Sequence, residues 1–189
     1  MREWIPVSTS PRGRLALAAV QAFGTRPFDE VTVHELAAAA NVTTGALYHH
    51  FGSKLGLYAF VRKDVEQRLL DRMEGAIAAG ATTSDRGTAV SAALLVGFDY
   101  AVREGYLHML GAPPTGTEHD RLAELLSART APASPVLGGM VAAAWRSALI
   151  AVAEGSDPRQ ARTALRALEL KLPGRPRHPL GRASARMKG

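Results

Sequence analysis

Apolar residues recur at three- and four-residue spacing along almost all of this 189-residue chain, and no run of alternating β-branched residues lies between turn signals. That periodicity predicts an all-α fold. Leu15, Ala19, Ala22 and Phe23 form one stripe on a first helix, which residues 24 to 27, Gly-Thr-Arg-Pro, should end. Thr32 and Glu35 have the spacing of a capping box, so a short second helix starts near Val33 and buries Leu36, Ala37 and Ala40. Asn41 tolerates the left-handed conformation that closes a helix. Thr43 then caps a third helix, with Val42 and Leu47 placed as a hydrophobic staple and with Leu47 and Phe51 on one inward side. Gly52 and Ser53 repeat the stop and cap before a long helix over about 53 to 79.

The second half reads as further helices over about 88 to 104, 106 to 110 and 118 to 128, with a loop at 111 to 117. Pro135 sits at a first-turn position, and Val141, Trp145, Leu149 and Val152 mark the apolar side of the helix that follows. Asp157-Pro158 starts the last helix, whose seam is Ala161, Leu165, Leu168 and Leu172 and whose other face carries Arg159, Arg162 and Arg166. The resulting organisation is a three-helix unit over 10 to 56, a larger helical unit over 57 to 172, and a tail over 173 to 189. The tail holds three prolines, five cations and little to bury, the composition of a disordered segment.

Composition narrows the functional classes. The net charge of +6 concentrates at two places: +5 over 173 to 189 and +3 over 11 to 63, against −2 over 64 to 172. Cysteine is absent, which excludes disulfides and thiolate metal sites and is consistent with the cytoplasm. Residues 15 to 23 have the length of a signal-peptide apolar region but are interrupted by Gln21. No stretch approaches the ~18 apolar residues of a membrane span, since the run from Gly138 stops at Arg146. The chain shows no nucleophile elbow, phosphate loop or paired metal-ligand spacing, so neither a metal nor a cofactor is expected.

The stretch Thr-Thr-Gly-Ala-Leu-Tyr-His-His-Phe, 43 to 51, is polar on one side. With Leu47 and Phe51 turned inward, Thr44, Gly45, Tyr48 and His49 remain on the side that a DNA major groove can meet, as in a helix-turn-helix. A threonine offers a hydroxyl and a methyl, a glycine permits close backbone approach, and a tyrosine reaches phosphate or a thymine methyl. Thr43 stands at a helix N-terminus, whose amides favour phosphate. His50, beside Phe51, reads as a packed residue rather than a base reader.

The string Leu-Tyr-His-His-Phe-Gly-Ser-Lys, 47 to 54, resembles the recognition segment of the TetR family of transcriptional regulators, and residues 12 to 60 fit that family's DNA-binding module. The resemblance implies base or backbone contacts from Thr44, Gly45, Tyr48 and His49, and positioning contacts from Thr32, His34, Thr43 and Lys54. Arg12 and Arg14 could reach phosphate from the first helix or simply keep its end soluble. Asn41 replaces a common glycine, and Gly56 replaces a common acidic residue at a propensity cost of roughly 1 kcal/mol relative to alanine.

The same resemblance implies a helical regulatory domain, homodimerisation through the last two helices, here about 135 to 154 and 158 to 172, and a small-molecule effector of unknown identity. Gly138, Gly139, Ala142 and Ala143 permit close helix approach, and Leu165 and Leu168 could join that interface, with a core inside one chain as the alternative. Phe98, Tyr100, Tyr106, Met109 and Trp145 are the candidate effector lining, with ordinary core packing as the alternative. The reading is a dimeric repressor on a palindromic operator. The alternatives are a helical protein-interaction module and a small helical enzyme built on residues such as Asp99, Glu104, His108, His119 and Asp120.

Overall fold

The computed structural model describes residues 9–80, 86–114, 119–130, 135–168 and 170. Among them the elements are α1 (Pro11–Thr25), a one-turn 3-10 helix (Phe28–Glu30), α2 (Val33–Ala39), α3 (Thr44–Phe51), α4 (Lys54–Gly80), α5 (Arg86–Glu104), α6 (Leu107–Gly111), α7 (Arg121–Thr130), α8 (Pro135–Ala153) and α9 (Pro158–Ala167), with no strand. The all-α expectation holds. α1, α2 and α3 pack on one another, and α1 and α3 also on α4; α4 lies along α5, and α8 packs against α5, α6, α7 and α9. One continuous apolar core runs from Leu15, Phe23 and Leu47 through Leu57, Val61, Leu69 and Met73 to Phe98, Met109 and Trp145.

Local signals account for most of the boundaries. Ser10 caps α1, its Oγ accepting from the Gly13 amide at 3.0 Å, and Pro11 occupies the first helical position. That start lies earlier than the apolar stripe suggests. Asp157 caps α9 in the same way, accepting from the Arg159 amide at 2.8 Å. α4 crosses the expected 56/57 boundary without a break. Its Tyr58 ring lies 5.0 Å from Phe23 and 5.1 Å from Phe28, both edge-on, so an aromatic cluster ties α4 to the first helices.

Arg62, buried on the same helix, donates to the Tyr58 hydroxyl at 3.0 Å and to the carbonyls of Pro113 and Ala112 at 3.1 and 2.7 Å. It thereby satisfies carbonyls just past the end of α6 that would otherwise be orphaned. At the other end of this junction, α1 meets the turn between α5 and α6 backbone to backbone: a Cβ on Gly24 would collide with the Gly105 carbonyl oxygen.

Three expectations need correction. α9 ends at Ala167, because the Leu168 amide turns back to the Leu165 carbonyl at 3.2 Å in a tightened last turn. Leu168 is therefore exposed and the seam stops short of it, while Leu172 and the tail over 173–189 lie outside the described residues. Second, α8 does contain an 18-residue window, Val136–Ala153, of mean hydropathy 1.7, long and apolar enough to cross a membrane by those measures alone. Arg146 in its middle is buried against Asp120, and the helix packs on four others.

Third, the small residues of α8 do not share a face. A Cβ on Gly138 would collide with Ser127 of α7, and Ala142 is wholly buried, whereas Gly139 has open space around it and Ala143 is exposed. Leu165 likewise belongs to the core of its own chain.

Candidate nucleic-acid interface

The pair α2–α3 owes its geometry to a closely specified turn. The Val42 amide donates to the Ala37 carbonyl at 2.9 Å and the Asn41 amide to the Ala38 carbonyl at 3.0 Å, the paired hydrogen bonds of a Schellman closure. Asn41 sits at φ 50°, the left-handed position usually given to glycine. Arg14 of α1 completes the closure, its Nε donating to the Ala40 carbonyl at 2.8 Å and its Nη1 to the Thr9 carbonyl at 3.0 Å.

α3 then begins on Thr43, whose Oγ1 accepts from the Ala46 amide at 3.3 Å. Leu47 is fully buried beneath the helix and Phe51 half-buried, with its ring 5.4 Å from Phe60. Gly45 and His49 are exposed, Thr44 is half-buried, and Tyr48 is 53% exposed. These four therefore lie along the outer side of one short helix. His50 is half-buried, its ring 6.4 Å from that of Phe51 and 5.0 Å from that of His49.

At the start of α2 both halves of the capping box form. Thr32 Oγ1 accepts from the Glu35 amide at 3.2 Å, and Glu35 Oε2 accepts from the Thr32 amide at 2.8 Å and from its hydroxyl at 2.9 Å. The Thr32 backbone bond, the Arg26 side chain at 3.2 Å and the Thr32 hydroxyl together push the Glu35 carboxyl down to about 2. The Thr32 hydroxyl is thus already engaged within the chain. His34, two residues on, is exposed.

Gly56 has a reason that propensity alone does not supply. A Cβ there would collide with the Phe51 carbonyl oxygen, so the first turn of α4 approaches the end of α3 closer than any side chain permits. Ser53 supplies the cap, its Oγ accepting from the Gly56 amide at 2.9 Å.

The Lys54 side chain turns back onto its own chain. Its Nζ donates to the carbonyls of Phe28 and Val31, both at 3.0 Å, and lies 4.1 Å from the centre of the Phe28 ring. The other cations of residues 9 to 60 are also engaged: Arg12 stands over the Phe51 and Phe60 rings at 5.7 and 4.9 Å, Arg14 caps the carbonyls noted above, and Arg26 pairs with Glu35. Among the described residues, no three His, Asp or Glu side chains are grouped to hold a metal.

Four of the candidate effector residues belong to the core of the second half, and Tyr106 is half-buried at its edge. Phe98, Met109 and Trp145 are core residues with essentially no exposure, and Trp145 Nε1 donates to the Leu94 carbonyl at 3.0 Å. Tyr100 and Tyr106 stack edge-on at 5.6 Å; burial pushes the Tyr100 hydroxyl up to about 12, with Arg72 over its ring at 4.1 Å. Open space lies elsewhere, in a cleft of about 590 Å³ lined in part by Phe60, Lys63, Glu66 and Arg121. Burial raises the Glu66 carboxyl above its ordinary range.

Several known proteins resemble this chain. A curated relative, the HTH-type transcriptional activator FasR of Mycolicibacterium smegmatis, is 37% identical over 90 residues, which are 47% of this chain; the chain spans only 39% of that relative's length. The solved TetR-family repressor AlkX of a Dietzia strain, implicated in n-alkane biodegradation, is 18% identical, with 86% of this chain and 95% of that one covered, at a TM-score of 0.45. A TetR-family regulator from Streptomyces coelicolor A3 is 19% identical over 88% of this chain and 97% of its own, at a TM-score of 0.42. Residues 16–60, which hold the turn-linked helices described above, match the family of bacterial regulatory proteins named tetR. The resemblance to the TetR family of bacterial regulatory proteins is thus carried by this N-terminal module.

Proposed function

We propose that this chain is a DNA-binding transcriptional regulator, not an enzyme, that acts as a homodimer. One observation carries the reading: Thr44, Gly45, Tyr48 and His49 line the outer side of α3 while Leu47 beneath them is fully buried, so the helix offers polar groups and a bare backbone position to a groove. A groove in a partner protein would instead favour large apolar anchors at these positions. Thr43 and the free amides at the start of α3 suit a phosphate, and His34 stands at the start of the supporting helix.

One short recognition helix covers few base pairs, so specificity calls for two copies across a palindrome. Support for pairing through α8 comes from its outer stripe, where Val136 and Met140 are 66% and 63% exposed beside Gly139 and Ala143. Repression relieved by a small molecule is the form we infer. A curated relative is named an activator, which keeps activation as the second reading. An effector must prefer one spacing of the recognition helices over the other to release DNA. To reach Phe98, Tyr100, Tyr106, Met109 and Trp145 it must also open the packing among α5, α6 and α8.

The test is selection of duplexes by the purified protein, followed by binding titrations across salt. A palindromic site bound more tightly than random sequence supports the reading, and equal affinity for both rejects it. A reporter carrying the selected site separates repression from activation.

A further inference from the structure

The geometry points to Lys54 as a positioning residue of the DNA-reading module rather than a phosphate contact, an inference that rests on the DNA-binding reading above. An ammonium carries three N–H donors, and two of them are taken by the carbonyls of Phe28 and Val31 at 3.0 Å each. The charge lies 4.1 Å from the Phe28 ring centre. The side chain is half-buried, so its charge is partly desolvated and held by groups that cannot follow it elsewhere.

The position of these carbonyls matters. Phe28 opens the one-turn helix and Val31 closes it, and the capping residue of α2, Thr32, comes next. Lys54 is the first residue of α4, three residues beyond the end of α3. The ammonium therefore ties the entry of α2 to the segment that leaves α3, and the two recognition helices lie between its two points of attachment. The Phe28 ring also belongs to the cluster with Phe23 and Tyr58, so the tie extends into α1 and the body of α4.

A compact ammonium can converge on two carbonyls; a planar guanidinium cannot donate to both with the same geometry. Lys54→Arg is accordingly disruptive at this site, whereas at a phosphate contact it would be well tolerated.

Two experiments test the assignment. In the unaltered protein without DNA, reductive methylation followed by mass spectrometry should modify Lys54 more slowly than the exposed Lys63 by about tenfold or more, as two hydrogen bonds to a charged group imply. Equal rates in the free protein, with protection of Lys54 only on adding duplex, would overturn it. In the second experiment, Lys54→Met and Lys54→Arg should both lower the melting temperature and weaken the selected duplex, leaving the slope of log affinity against log salt unchanged. A slope reduced by ~0.9 for Lys54→Met at unaltered melting temperature is the signature of a lost phosphate contact and rejects the proposal. Methylation and melting use no DNA, so failure of the wild-type protein to select any duplex removes the DNA reading and leaves the tie itself decided.

Discussion

Arg146 in the middle of α8 grips Asp120 with both prongs of its guanidinium, Nη1 to Oδ2 and Nη2 to Oδ1, each at 2.7 Å. Asp120 Oδ1 also accepts from the Ala123 amide at 3.0 Å, so the same carboxylate caps α7 and anchors α8. Burial pushes this carboxyl up, but the hydrogen bonds from Arg146 and Ala123 outweigh it and leave it below the ordinary range.

Arg146→Met should cost about 3 kcal/mol in urea unfolding at pH 7, because it leaves a half-buried carboxylate without its counter-charge. Asp120 has a depressed folded value, so its contribution is fully present above the unfolded value of about 3.9 and disappears as pH falls through the folded one. The gap between wild type and Arg146→Met should therefore narrow below about pH 4. An unchanged gap at pH 3 would contradict this account.

Gly56→Ala and Gly75→Ala, both on α4, should act in opposite directions. Gly75 has nothing near its missing Cβ, so alanine should stabilise by about 1 kcal/mol. At Gly56 the added carbon meets the Phe51 carbonyl oxygen, and separating α3 from α4 should cost more than propensity returns. Thermal melts of the two variants side by side give the answer.

What was legible in the sequence was what depends on neighbours in sequence. The capping box at Thr32 and Glu35, the left-handed Asn41 and the cap at Thr43 could be read because each involves residues within about one turn. The buried Leu47 followed from periodicity. The inward turn of Lys54 could not, because its partners are 23 and 26 residues away and a surface cation has the same spacing as a buried one. Arg14 is hidden for the same reason. Gly138 and Gly139 are adjacent and identical; only the path of α7 decides that the first is covered and the second open.

Leu47→Ala should cost roughly 2–5 kcal/mol, the range for emptying a wholly buried leucine site. Tyr48→Ala, on the exposed side of the same helix, should change stability by no more than about 0.5 kcal/mol and alter the preferred bases. Denaturant titration and duplex selection measure the two effects separately. A large stability loss from Tyr48→Ala would place that ring in the core.

The Glu35 carboxyl should titrate at about 2 when followed by NMR, against about 4.3 for an unperturbed glutamate. Its stabilising share is present above about 4.3 and lost as pH falls through 2. Thr32→Ala removes the hydroxyl donor but keeps the backbone one, so it should move the midpoint only part of the way back.

Met140→Glu places a charge on the outer stripe of α8, away from the core of its own chain. Sedimentation should show dissociation of the proposed dimer, with monomer melting unchanged. If the variant still sediments as a dimer, the pairing face lies elsewhere.

The contact between Gly24 and Gly105 has a mechanical consequence. Most helix neighbours meet through side chains, which can switch rotamer and soak up a small displacement. Here main chain bears directly on main chain, with no cushion between the end of α1 and the turn that leads into α6. A nudge of that turn toward α1 has no slack to take up, so the two segments mesh like cogs: one shifts with the other, or the joint comes apart.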